Sequence, residues 1–139
     1  MTDLVTISYR SEALLSDPLD DLMTIVEESK PKNAARAITG VLLFDGTFFM
    51  QTLEGPPKNT KDMYRSVLRD PRHRKVKPFG IEGIDERDFP DWHMELISPD
   101  ETMQIVPDMR NLEFSYRRLR EIQAMSLVAA RRQQNRTLH

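Results

Sequence analysis

The chain has 139 residues, 22 of them acidic and 20 basic, with nine prolines and no cysteine. Such a length supports one core of its own; the near-even charge gives no field for nucleic acid or an anionic membrane, and the missing thiols exclude disulfides, thiolate metal sites and thiol catalysis. The opening MTDLVTISYRSE lacks the basic and then apolar order of a secretory signal, and no apolar run nears the roughly 18 residues of a membrane span, so a soluble cytoplasmic domain is expected.

LVTISY, Leu4 to Tyr9, alternates and is rich in β-formers, so it reads as a strand. SDPLDDLMTIVEESK follows with a helix start: Ser16 or Asp17 as cap, Pro18 in the first turn, Asp20 and Asp21 near the positive end. Leu19, Leu22, Ile25, Val26 and Ser29 give that helix a buried face, and Pro31 is expected to close it. Two apolar runs then flank Asp45-Gly46, the pattern of a hairpin over Ala37 to Gly55. A second helix is expected over Asn59 to Asp70, with Asn59 as cap, Asp62 three positions on, and Met63, Tyr64, Val67 and Leu68 as its apolar side. VKPFGIEGI is a weaker strand in which Pro78 signals an edge or a bulge. WHMELI, Trp92 to Ile97, reads as a last short strand.

The order β-α-β-β-α-β plus one strand is that of an α+β, ferredoxin-like sandwich. Residues 1–97 form this domain, and 98–139 form a helical extension that packs on it or on a partner. Within the extension Leu112, Tyr116, Leu119, Ile122, Met125 and Ala129 recur at helical spacing, predicting an amphipathic helix from Asn111 to about Arg132. The last residues, Arg131 to His139, are expected to fray.

The strand FFMQTLEG raises a chemical question, because Gln51 brings two donors and an acceptor into an apolar run. Side chains alternate across a strand, so Phe49, Gln51 and Leu53 share one face, and Phe48, Met50 and Thr52 the other. In the split βαβ arrangement the first and third strands are central neighbours. If Val5, Ile7 and Tyr9 face the helices together with Phe49, Gln51 and Leu53, a phenol and an amide meet in an apolar slot. They either satisfy each other or read the polar edge of a planar ligand held between the helices. Asn33 offers a second amide or simply forms a turn. Trp92 and Met94 share a face that closes over Gln51 or belongs to the core. Asp70-Pro71-Arg72-His73-Arg74 suits a phosphate tail or is solvated surface.

Four segments in order resemble BLUF domains, the blue-light sensors that use FAD: SYRS with Tyr9, KNAARAITGVLLFDGTFFMQTLEGP with Asn33 and Gln51, RDPRHR with Arg72 and His73, and RDFPDWHM with Trp92 and Met94. The resemblance covers roughly Leu4 to Leu96. It implies an isoalloxazine ring between the two helices, with Ile25 and Phe49 beside it. It also implies that Tyr9 gives an electron and then a proton to the excited flavin, and that Gln51 is the switch between Tyr9 and the ring. Asn33 is implied at the ring's C4=O and N3, Arg72 and His73 near the ribityl phosphate, and Trp92 or Met94 next to Gln51. FAD is the implied cofactor, with FMN and riboflavin as alternatives. Output passes to a downstream signalling protein, in a chain that is monomeric, a homodimer or a higher oligomer, with no substrate turnover. Two other readings stand beside this one: a cofactor-free ferredoxin-like regulatory module, and a small hydrolase using Arg10 and Asn33 at a phosphate.

Overall fold

A computed structural model of the protein describes residues 3–138. Five strands form one sheet in the order β4-β1-β3-β2-β5. They are β1 (Leu4–Ala13), β2 (Thr39–Phe44), β3 (Phe48–Gly55), β4 (His73–Ile84) and β5 (Glu95–Ile97). Helices α1 (Pro18–Ala35) and α2 (Pro57–Leu68) belong to the ferredoxin-like unit, and α3 (Pro99–Ile105) and α4 (Tyr116–Leu138) follow it. Adjacent strands are antiparallel except β2 and β5, which run parallel. The architecture is the α+β, ferredoxin-like fold with its extra strand.

The strand pair β1–β3 fixes the faces. Its register sets Tyr9 opposite Gln51, Ile7 opposite Leu53 and Ser11 opposite Phe49. On the α1/α2 side the core contains Leu22, Val26, Ile38, Leu42, Phe49, Leu53 and Met94. On the opposite side Val41, Leu43, Phe48 and Met50 pack with Ile105, Val106, Leu119 and Ile122 of the C-terminal segment. The outer face of the sheet is thus covered by α3 and α4 of the same chain, the apolar cover a two-faced sheet needs. Close approach of β2 to β3 requires glycine at position 40, where a Cβ would lie 2.0 Å from the Thr52 carbonyl oxygen.

Pro78 marks both an edge and a bulge. β4 is an edge strand, and each of its two register shifts against β1 inserts one extra residue. Gly80 (φ 93°) and Lys75 (φ 54°) supply the left-handed backbone there.

Several boundaries differ from the sequence pattern. Pro31 does not end α1, which continues to Ala35. Its missing N–H removes one helical bond on an exposed stretch of the helix. The helix closes instead at Asn33, whose carbonyl accepts from Arg36 and Ile38. Leu19, expected to be buried, is 72% exposed. Helix α2 begins at Pro57 rather than at an Asn59 cap, because proline at the first position has no N–H to satisfy. The Asn59 amide donates to the Arg36 carbonyl, and Asp62 pairs with Lys58 and Arg65.

The expected strand from Trp92 is only Glu95–Ile97, so Trp92 and Met94 lie on the connection before it. Helix α3 has no counterpart in the sequence reading; its signal was Ser98, which accepts from Glu101 N–H, followed by Pro99. The long helix starts at Tyr116, five residues after Asn111, and runs to Leu138 instead of fraying from Arg131. Gln133 holds it by donating to the Leu96 carbonyl, and Gln134 by donating to Glu95. His139, like Met1 and Thr2, lies outside the described residues.

Candidate functional site

The sheet carries a cleft on its α1/α2 side, lined by Tyr9, Ile25, Ser29, Leu42, Phe49, Gln51 and, beyond them, Val67, Asp70, Arg72 and His73. Its empty space, open mouth included, is about 440 Å³, and the part that admits a water-sized sphere is about 70 Å³, narrower than the few hundred Å³ usual for small-molecule sites. Six of the nine residues singled out from the sequence meet here: Tyr9, Ile25, Phe49, Gln51, Arg72 and His73. A second opening, about 730 Å³ with its open mouth included, shares Ser29, Val67, Asp70 and Arg72 with it and adds Lys32 of α1 and Arg36 just beyond that helix.

At the floor, the Tyr9 hydroxyl donates a hydrogen bond to Gln51 Oε1. The two residues are directly opposite in register, so the sheet itself positions the contact. Burial, helped by the charge of Asp70 and by Tyr64, pushes the Tyr9 phenol well above its ordinary value. It therefore keeps its proton and acts as donor, which sets the amide with its oxygen toward Tyr9. The other end, Nε2, points to the Met94 thioether at 3.6 Å. Sulfur is a weak acceptor, so one end of Gln51 is firmly held and the other loosely.

This arrangement suits a polar ligand edge. Gln51 uses one of its two N–H bonds on a weak partner and keeps acceptor capacity at Oε1. The walls on either side, Ile25, Leu42 and Phe49, are apolar, as a flat ring requires.

The remaining residues take more specific places. Asn33, on the last turn of α1 and 1% exposed, donates from Nδ2 to the His93 carbonyl at 2.6 Å. Met94 is 2% exposed and belongs to the cluster on the cleft side. Trp92 packs with the cluster on the opposite face. The expectation that both close over Gln51 is corrected accordingly: the residues straddle the end of the sheet because no regular strand keeps them on one side.

Arg72 is bidentate on Asp70 and reaches Glu28 at 3.1 Å. The Arg72 guanidinium, by bonding Asp70, holds that carboxyl below the usual carboxylate range. Asp70 was thus the member of the charged run that sequence reasoning passed over. Its signal was the Asp-Pro-Arg turn, in which Arg72 N–H donates to Asp70 at 2.9 Å. His73 bridges Ser11 Oγ (2.7 Å) and the Val67 carbonyl (2.6 Å), tying β1 to α2 under the cleft. Arg10 and Asn33 do not share a site. Arg10 is on the outer face and donates to the Met109 and Arg110 carbonyls, which removes the hydrolase arrangement.

The comparisons bear on the same region. The family model described as BLUF, sensors of blue-light using FAD, matches residues 4–95. The blue light- and temperature-regulated antirepressor BluF of Escherichia coli (strain K12) is 32% identical over 116 residues, 80% of this chain and 29% of the relative. The photoactivated adenylate cyclase subunit beta of Euglena gracilis is 31% identical over 111 residues, 80% of this chain and 13% of the relative. The chain therefore spans less than a third of either curated relative. The dark-state structure of BlrB, a BLUF protein, superposes with a TM-score of 0.83 at 36% identity, covering 92% of this chain and 98% of that one.

Proposed function

The chain belongs to the BLUF family of blue-light sensors that use FAD, and on that premise we propose that it is a flavin-dependent light-gated binding module without substrate turnover. The observation that supports this best is the Tyr9–Gln51 hydrogen bond at the floor of an apolar cleft between sheet and helices. FAD is the flavin we assign, because the cleft continues into the second opening beside Lys32, Arg36 and Arg72. There a phosphate tail meets cations; FMN and riboflavin fill less of that path.

Ile25 and Phe49 would flank a bound ring and Gln51 would address its polar edge, as would the amide oxygen of Asn33, whose Nδ2 is held by the His93 carbonyl; the His73 ring packs edge-on against Tyr9. Arg72 acts within its carboxylate pairs, so Lys32 and Arg36 supply the uncompensated positive charge toward the phosphates. A bound flavin supplies absorption of blue light and an excited state that takes up one electron. Tyr9 would be the donor of that electron. A phenol that has lost an electron becomes a strong acid, and its proton has one route, along the bond to Gln51 Oε1.

Gln51 then changes its arrangement. Taking the Tyr9 proton at Oε1 and passing one from Nε2 to the polar edge of a bound flavin would leave the tautomer; rotation about the terminal torsion would exchange the two ends. Either route replaces the weak contact to Met94 sulfur, so little is lost in leaving it. Once Tyr9 regained its electron and proton, Gln51 would keep its new partners, and its altered hydrogen bonding at the edge of a bound flavin would move absorption to the red. The thioether of Met94 registers the change on the segment leading to β5. Output then leaves toward a downstream protein by β5, α3 and α4, a route that rests on adjacency.

The test is an absorption spectrum of the purified protein before and after blue light. A yellow protein whose flavin band moves reversibly to the red is expected. A colourless protein, unresponsive after reconstitution with FAD, overturns the reading and leaves a cofactor-free module in which Tyr9 and Gln51 only satisfy each other.

A further inference from the structure

Gln51 is not the only polar residue that β3 buries. Three positions along, on the opposite face, Glu54 is 0% exposed. A buried carboxylate is costly unless its oxygens are met, and both are. Glu54 Oε2 accepts from Asp88 N–H and Oε1 from Phe89 N–H, each at 2.8 Å. The proposed photochemistry makes no use of it.

These bonds grip the connection between β4 and β5, residues 85–94. Beside them Arg87 donates to Thr39 Oγ1, to the Glu54 carbonyl and to the Ala37 carbonyl. Phe89, two residues on, is fully buried in the outer cluster. Farther on, Gly40 N–H donates to the Trp92 carbonyl and Asn33 to that of His93, and Met94 then enters the cluster beside Gln51. Within five residues the connection crosses from the outer face to the cleft side. Its starting point therefore decides which side chain arrives at the amide.

We propose that Glu54 is a positioning residue, whose carboxylate fixes the backbone of Asp88 and Phe89 so that Met94 meets Gln51 while Trp92 stays on the outer face. The proposal rests on the reading of Gln51 as the light-driven switch. It adds a residue on the far side of the sheet that sets the partner of that switch.

The clamp needs two good acceptor oxygens, and only the ionised carboxyl offers both; once protonated, its hydroxyl oxygen is a far weaker acceptor. Burial pushes the Glu54 carboxyl up to about 7, against the two backbone N–H groups and the Arg87 charge, with the Asp88 charge adding to the rise. Around it, the register partners Thr6 and Thr39 are uncharged. The other nearby charges are Glu82, across β1 on β4, and Arg120 of α4, which reaches Glu82 at 3.9 Å. His93 is the imidazole of the connection itself, bonded to the Ile38 carbonyl. The grip therefore loosens as pH falls through about 7.

Trp92 is the only tryptophan in the chain, so its emission reports this connection alone. The experiment measures acrylamide quenching of Trp92 in the purified full chain, kept dark, across pH, in wild type, Glu54→Gln and His93→Gln. In wild type and His93→Gln the quenching constant is expected to rise about twofold as pH falls, with a midpoint near 7. Glu54→Gln, which faces one N–H with an NH₂ group, is expected to be high and flat. Its red-shifted state still forms, since Tyr9 and Gln51 are intact, but dark recovery changes by roughly threefold or more.

Quenching in Glu54→Gln that matches wild type at every pH overturns the proposal. So does a wild-type titration without a transition, or one abolished by His93→Gln and retained in Glu54→Gln. The wild-type titration decides the matter even where Glu54→Gln does not fold. Dark Trp92 emission needs no light response, so failure of the clamp and failure of the photoreceptor reading are told apart.

Discussion

Replacing Tyr9 with phenylalanine deletes one oxygen and tests the centre of the mechanism. The ring is 4% exposed, and Phe fills the same space without opening a cavity of consequence. What is lost is the bond to Gln51 Oε1. A net hydrogen bond is worth about 0.5–1.5 kcal/mol, and a buried amide left without a partner costs about 1–3 kcal/mol. Gln51 borders a cleft that water or a ligand edge enters, so the lower figure, about 1 kcal/mol, applies. For 139 residues at about 2.1 cal/mol/K each, that is a fall in Tm of about 3 °C. The variant should stay folded and yellow by calorimetry and absorption, yet give no red-shifted state under blue light. A red shift of wild-type size in Tyr9→Phe refutes the electron-donor role. A fall in Tm beyond about 10 °C instead makes the hydroxyl a structural element and removes the argument that the cleft compensates it.

Gln51→Leu leaves the Tyr9 hydroxyl without its acceptor and removes both ends of the switch; the protein should bind flavin and show no normal spectral response to light. Asn33→Ala strips the His93 carbonyl of its donor at a site 1% exposed, so denaturant titration should show a loss of about 1–3 kcal/mol, with weaker flavin retention on dilution. The acid limb of stability depends on Asp70, which Arg72 holds below the usual range. Its contribution is complete above the unfolded carboxylate pKa of about 4 and is lost as pH falls through its own lower value. Asp70→Asn should therefore flatten the stability curve below about pH 4, and an acid limb of unchanged steepness argues against that role.

The strands around the site were legible because period-two patterning is a direct record of which face is buried. Parity grouped Phe49, Gln51 and Leu53 on one face and Val5, Ile7 and Tyr9 on another; the register joins the two, setting Tyr9 opposite Gln51 and Ile7 opposite Leu53. Helix limits were less legible, since they depend on partners far away in sequence. Pro31 reads as a stop, yet α1 continues because Asn33, two residues later, is anchored 60 positions downstream on His93. Pro57 starts α2 where a capping asparagine was expected, and the asparagine found its partner in Arg36. The C-terminal helix shows the same dependence: Gln133 and Gln134 read as polar tail, but β5 gives them acceptors.

The choice between Trp92 and Met94 was illegible for a deeper reason. Sequence spacing places two residues on one face only while a regular strand carries them, and β5 begins after both, at Glu95. What fixes them is a set of tertiary bonds from Glu54, Gly40 and Asn33 to the backbone of residues 88–93. Backbone acceptors and donors carry no residue signature, so no motif announces such a clamp. The consequence is functional. The first strand pair supplies a rigid Tyr9–Gln51 contact, whereas the second partner of Gln51 arrives on a connection held by a few replaceable bonds. A switch needs that asymmetry: one end fixed, so that the proton has a defined path, and the other bound weakly enough to be exchanged.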